Sequence, residues 1–360
     1  MKQQNKEKGR LMLMRQAALI SVGFAFVTLS LPVRAQPAAD LYAKAKSEGA
    51  FNLYVGGPTA PWEAMAKRFN DKYPGITISI SGGFSNVLDK KIDEQIASRK
   101  LEVDAAILQT IADFVRWKRE GQLIKFKPAG FDQIDPRFKD TDGAYWATMV
   151  NAVPYMYNTE HVAESDIPNS AIDFLKPQFK GQIVTAYPAD DDVTLWVFYH
   201  IVQKYGWSYM DKYMAAQPHF VQGHLGEQRG IGSGQNLVTF DSIFNITTLL
   251  KKQGMKVNSH FPIVDATPFW PLSGAIFKGA PHPNAAKLFL GWLLEPEQQI
   301  ATETWSGRRD VPPPTGYKPI SSYKVVTDYK EFLVDQRKIT ALRKRFEKYT
   351  GPVLNAGGVR

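Results

Sequence analysis

The sequence predicts an α/β protein made of two successive runs of alternating strands and helices. Three observations lead there. Segments with strand periodicity alternate with segments whose apolar residues recur at helical spacing. The segment Val103 to Leu108 is too apolar for one-sided burial, as expected of a mostly parallel sheet covered by helices on both faces. The chain from Gln36 to Arg360 has 325 residues, enough for a large core that is usually divided into two lobes.

The elements follow in order. Phe51 to Val55 reads as a strand ending in Gly56-Gly57. Trp62, Met65, Phe69 and Tyr73 share one face of a helix over 61–73. Ile76 to Ile80 alternates Ile with Thr and Ser, a strand ending in Ser81-Gly82-Gly83. Leu88, Ile92 and Ile96 mark the next helix, Val103 to Leu108 a third strand, and Ile111, Phe114 and Val115 another helix. The aromatic-rich run from Trp146 to Tyr157 reads as a strand crossing from the first unit to the second. The second unit has a strand at 182–186, a helix over 193–205 and a short strand at 237–240. A helix through Leu249-Leu250 and an extended segment at 256–264 complete it. The chain returns near Pro268 to Phe277. A helix after Pro283 then carries Ala285, Leu288, Phe289, Trp292 and Leu293 as a core-facing stripe. A basic helix from Ile339 to Tyr349 is expected as a peripheral clasp.

Residues 1–35 read as an address. Lys2, Lys6, Lys8, Arg10 and Arg15 precede the uncharged, mostly apolar run Ala17 to Leu31, and Val33-Arg34-Ala35 places small residues at −3 and −1. These are the parts of a secretory signal peptide cleaved after Ala35. A membrane anchor would want about 18–25 apolar residues, whereas this run includes Ser21, Gly23, Thr28 and Ser30. Without the leader, 38 basic and 34 acidic residues leave a net charge of +4 rather than the full chain's +9. That is an ordinary solubility charge, and it argues against a nucleic-acid partner. The chain has no cysteine, which excludes disulfides, thiolate metal sites, cysteine nucleophiles and a lipidated N-terminus.

Several segments resemble the extracellular solute-binding proteins of ABC importers, in the branch that includes ferric-ion binding proteins. The run Lys278-Gly279-Ala280-Pro281-His282-Pro283-Asn284-Ala285-Ala286-Lys287-Leu288-Phe289, continuing to Leu294-Glu295-Pro296-Glu297-Gln298-Gln299, is the most similar. Phe174 to Ile183 and Val103-Asp104-Ala105-Ala106 with Gly121-Gln122-Leu123 add to it, and the likeness spans roughly 41–314. The resemblance implies a periplasmic binding protein type II fold. In it two α/β lobes are joined by two crossing strands, close on a hinge and hold the ligand between them. It implies lobe 1 at 36–153 and 268–360, lobe 2 at 154–267, a periplasmic location, and a membrane permease and ATPase as partners of a monomer. Ferric members are similar in holding the metal with a pair of adjacent tyrosines. The corresponding stretch here, Asn236 to Phe244, contains no tyrosine, and the chain has no Tyr-Tyr pair.

Ligands of open α/β sheets sit beyond the carboxyl ends of the strands. That nominates Gly57, Thr59, Gly83, Phe84, Ser85, Gln109 and Thr110 on the first-lobe turns. Helix N-termini there would suit a carboxylate, phosphonate or phosphate. On the second lobe it nominates Asp190, Asp191, Thr239, Asp241 and Asp265, whose carboxylates would suit a cation or an amine. Thr59, Ser85 and the Asp190 to Asp192 run also make good N-caps with no ligand at all. The six histidines show no metal-like spacing, and His219 and His224 read as residues of a surface loop, so no metal ligands and no cofactor are nominated. No P-loop, Gly-x-Ser-x-Gly or His-Glu-x-x-His motif occurs, so no catalytic residue is nominated either. The expected role is capture of a small ligand for import, an organic or phosphorus-containing anion being favoured. A ferric-ion or polyamine-type binder of the same family and an exported enzyme on the same scaffold remain the alternatives.

Overall fold

A computed structural model of the protein describes residues 38–354; the expected signal peptide lies outside the described residues. Eleven strands are present among them: β1 Ala50–Gly56, β2 Thr77–Gly83, β3 Ala105–Leu108, β4 Trp146–Ala152, β5 Tyr155–Asn158, β6 Val184–Ala186, β7 His219–Val221, β8 Val238–Thr239, β9 Val257–His260, β10 Thr267–Ile276 and β11 Val325–Val326. The first sheet runs β11-β10-β3-β1-β2, with β4 also paired to β10. β1 is parallel to β2 and β3, while β10 is antiparallel to β3 and β4. The second lobe holds a β8-β5-β9 sheet and a β6-β7 pair, linked by a parallel bridge between Ile183 and Val238.

The fold is the expected two-lobed α/β arrangement, but its sheets are mixed rather than mostly parallel. The connections require this. The chain enters the second lobe along β5 and leaves it along β9, so the two pair antiparallel. The single apolar run at 146–157 is in fact two strands. Pro154 has no N–H to continue the ladder, and Val153 N–H instead bonds to the carbonyl of Pro268 at 2.9 Å. The apolar cores of the two sheets are continuous where the crossing strands pass.

Helix Pro283–Leu293 buries the predicted stripe, and Phe289 and Trp292 pack on Phe69, with Phe289 also against Phe51. Two acids, the buried Asp104 and the half-buried Glu48, explain the similar run that precedes and opens it. Asp104 accepts from His282 N–H at 2.6 Å and His282 Nδ1 at 2.9 Å. Glu48 accepts from the N–H groups of Asn284 and Ala285 at 3.0 and 2.8 Å, capping this helix from another element. Among the described residues no helix is long and apolar enough to cross a membrane.

The C-terminal helix Gln336–Thr350 lies on the second lobe, although the resemblance places 268–360 with the first. Phe346 packs on Phe198 and Trp207, and Arg343 bonds to the Ala189 carbonyl at 3.0 Å and pairs with Asp192. Its two buried residues, Ile339 and Phe346, are too few to form a core and must borrow one from helix Asp192–Tyr205.

Candidate functional site

The first lobe brings two strand-to-helix turns together. Helix Ser85–Ser98 starts at the end of β2, and helix Ile111–Arg119 just beyond β3. Ser85 Oγ accepts from Gln109 N–H at 3.3 Å and so ties the two turns. A Cβ on Gly56 would strike Ser85 Oγ, so β1 carries glycine where it passes under that turn. Val87 and Leu88 N–H both bond back to the Phe84 carbonyl at 3.0 Å, and only the N–H groups ahead of them lack an acceptor in the helix ladder.

The second lobe answers with Asp190, Asp191 and Gly223. Asp191 caps helix Asp192–Tyr205, its Oδ1 accepting from Val193 and Thr194 N–H at 2.8 and 3.0 Å. Its other oxygen accepts from Gln109 Nε2 across the cleft at 3.0 Å. Asp190 accepts from Gln222 Nε2 at 3.1 Å, and its carbonyl faces Asn86 Nδ2 at 3.3 Å. Phe84, Ser85, Asn86, Gln109, Asp190, Asp191 and Gly223 thus enclose a cavity of about 20 Å³, room for one water. We expect Asp191→Ala to cost about 1 kcal/mol of stability through the lost cap alone, read as a shift of the urea midpoint at unchanged slope. An unshifted midpoint would refute the capping role.

Behind this wall lies a buried polar group. His224 Nδ1 is 3.7 Å from Asp191 Oδ2 and its Nε2 is 3.5 Å from Asp241 Oδ1. Burial opposes a charge on the ring, but the carboxylates of Asp191, Asp241 and Glu227 outweigh it and push His224 up to about 10. Burial raises Glu227 well above the carboxylate range, and Asp241 adds to the rise. Burial also raises Asp241, against the pull of His224. His224 is therefore no surface-loop residue: it opens the helix His224–Gly232 and is 7% exposed. That helix was not legible because Gly226, Gly230 and Gly232 each disfavour it by up to about 1 kcal/mol relative to alanine. Packing overrides this, with Gln228 and Ile231 fully buried.

Of the twelve nominated residues, Phe84, Ser85, Gln109, Asp190 and Asp191 line the cavity. Gly57, Thr59, Gly83 and Thr110 stand on adjoining turns without lining it; Gly57 N–H bonds to the Gly83 carbonyl at 2.8 Å. Neither Thr59 nor Ser85 caps its helix through a side chain; Phe84 rather than Ser85 occupies the N-cap position. Thr239 and Asp241 are completely buried behind the cavity. Asp265 is brought elsewhere, into the second lobe's own fabric, where Tyr155, Ala171, Lys204 and Tyr205 all donate to it. Gly223 and Gln222, which no strand-end pattern singled out, reach the wall because β7 ends there.

A profile of the family described as bacterial extracellular solute-binding protein matches residues 64–332. Iron-bound HitA from Pseudomonas aeruginosa is similar at 19% identity and a TM-score of 0.68, over 82% of this chain and 99% of that one. The periplasmic binding protein AfuA from Actinobacillus pleuropneumoniae, with fructose-6-phosphate bound, is similar at 20% identity and a TM-score of 0.65, over 84% and 98%. An uncharacterized protein of Haemophilus influenzae is 21% identical over 266 residues, 71% of this chain and 75% of that one. At these identities the structural likenesses speak for the fold.

Proposed function

The chain belongs to the bacterial extracellular solute-binding protein family, and on that premise we propose that it captures a small carboxylate or phosphorus-containing anion between its lobes for an ABC importer. One observation carries the choice of site. Turns from the first lobe and the Asp190-Asp191 wall of the second enclose a single cavity and already touch across it. The start of helix Ser85–Ser98 would supply N–H groups and a partial positive charge for the anionic group. Asp190 and Asp191 would accept from hydroxyl or amino groups on the ligand's other end. A bound solute would exchange the Gln109–Asp191 and Asn86–Asp190 contacts for its own, and the lobes would part and reclose around β4–β5 and β9–β10.

The ferric reading would need a different metal chemistry from the tyrosine pair, because the stretch Asn236 to Phe244 offers none. The chain would act as a monomer outside the cytoplasmic membrane, after signal-peptide removal, handing its ligand to a permease and ATPase without turnover.

A thermal-shift panel of phosphonates, sugar phosphates, carboxylates, polyamines, thiamine and ferric complexes tests this. An anion at about 100 times its dissociation constant should add roughly 2.7 kcal/mol. Ser85→Ala should lower that affinity at least tenfold, a loss of about 1.4 kcal/mol, and lower the unliganded stability by less than that, because the hydroxyl's bond from Gln109 N–H is long at 3.3 Å. Stabilisation by polyamines alone, or chemical consumption of the bound compound, would overturn the proposal.

A further inference from the structure

The group behind the cleft has a composition that hydrogen bonding within the protein leaves unexplained. His224 and Glu227 are three residues apart on helix His224–Gly232 and so share a face. Asp241, just past β8, meets them from the other side. One donor atom from each lies within 4.8 Å of the others, and all three residues are buried. By donor–acceptor geometry neither carboxylate oxygen of Glu227 nor Oδ1 of Asp241 has a partner, and the Thr239 hydroxyl is the one neutral group close enough to ease the burial of Glu227. Thr194 Oγ1 donates to Asp241 Oδ2 at 2.7 Å, which fixes that carboxylate with Oδ1 turned toward His224 Nε2. Buried carboxylate oxygens without donors are costly. Here one oxygen of each of two such carboxylates lies within 4.8 Å of an imidazole nitrogen.

We propose that His224, Glu227 and Asp241 hold a divalent first-row transition cation of the Zn²⁺ or Mn²⁺ class behind the solute cleft. One imidazole nitrogen with two carboxylates suits these ions better than Ca²⁺ or Mg²⁺, which favour all-oxygen sets. Asp191 lies on the far ring nitrogen's side, where it orients the imidazole as carboxylates beside metal-bound histidines do. The cation also answers a question of charge. The second-lobe wall and the group behind it gather Asp190, Asp191, Glu227 and Asp241 around the one imidazole of His224, an excess of acids that disfavours an anion. Two positive charges immediately behind Asp191 offset it. All three ligands come from one lobe, so the ion would stay in place while the cleft opens, and its binding does not depend on what the cleft carries.

The test uses the full chain, stripped with EDTA and titrated with ZnCl₂ and MnCl₂ against a chromogenic chelator, with ferric citrate as comparison. One ion per chain is expected. Glu227→Gln and Asp241→Asn, which keep shape and remove charge, should each weaken binding at least about 100-fold, the upper end of what losing even an outer-shell partner costs. Asp191→Asn should weaken it about tenfold. Uptake of neither ion at stoichiometric level, retention of ferric ion alone, or unaltered affinity in both carboxylate variants would overturn the proposal. Should either variant fail to fold, Mn²⁺ electron paramagnetic resonance on the parent chain decides. A bound-ion spectrum at one equivalent supports the site, and a purely aqueous spectrum refutes it.

Discussion

Replacing Asp265 with alanine should remove about 2–5 kcal/mol of stability, because it leaves the buried donors Tyr155 OH and Ala171 N–H unpaired at about 1–3 kcal/mol each, while leaving ligand affinity of the folded fraction intact. Asp265 sits on the segment that returns the chain from β9 to β10. Tyr155 OH, on β5, donates to its Oδ2 at 2.7 Å and Ala171 N–H at 2.6 Å; Tyr205 OH donates to Oδ1 at 2.6 Å, and Lys204 pairs with the same oxygen. One carboxylate thus holds both crossing segments to the second lobe. Asp265→Asn keeps the shape but not the charge, and should cost less, about 1–3 kcal/mol. Urea unfolding measures both; a parent-like midpoint for the alanine variant would sink the claim.

The same carboxylate makes the prediction pH-dependent. Burial acts to raise its pKa, but the bonds from Lys204, Tyr205, Tyr155 and Ala171 outweigh it and hold it below the ordinary carboxylate value. A depressed folded pKa contributes stability that is complete above the unfolded value, about 3.9, and is lost as pH falls through the folded one. The parent should therefore lose stability more steeply below about pH 4 than Asp265→Asn. Parallel acid limbs would show that Asp265 titrates alike in both states.

Gly223→Val should weaken binding of the stabilising anion at least tenfold, about 1.4 kcal/mol. Gly223 has φ +76°, a conformation costing a β-branched residue about 1–3 kcal/mol. A Cβ there would also stand 2.8 Å from Phe84 Cε1, so the side chain wedges the two faces apart where they close on the cavity. Strain and wedge can be separated. Phe84→Ala in the same chain removes the obstruction and leaves the backbone strain. The double variant should regain closure, read as small-angle scattering compaction on ligand addition, while staying less stable than the parent. A single Gly223→Val variant that binds and compacts like the parent would mean the faces need not meet there.

Much of the fold was legible because its signals are local. Alternation at 76–80, the stripe on helix Pro283–Leu293 and the strand ends at Gly56-Gly57 and Gly82-Gly83 need only neighbouring residues to be read. The first-lobe half of the candidate site was legible for the same reason: strand-to-helix turns announce themselves by glycine followed by small polar residues. The second-lobe half was legible only as a set of acids. Asp190, Asp191 and Asp265 look alike in sequence, yet two face the cavity and one braces the crossing segments. Helix His224–Gly232 escaped notice because its glycines hide it and only packing forms it.

Local patterning therefore specified an α/β chain of two alternating units, its core stripes and the turns that could meet a ligand, all of which depend on residues a few positions apart. Long-range packing set which acids share the cavity, where the C-terminal helix docks, and that His224 is buried against Asp191, Glu227 and Asp241. Those outcomes rest on contacts between distant segments. A side chain's burial and charge partners are set by what folds over it, and its identity does not carry that information.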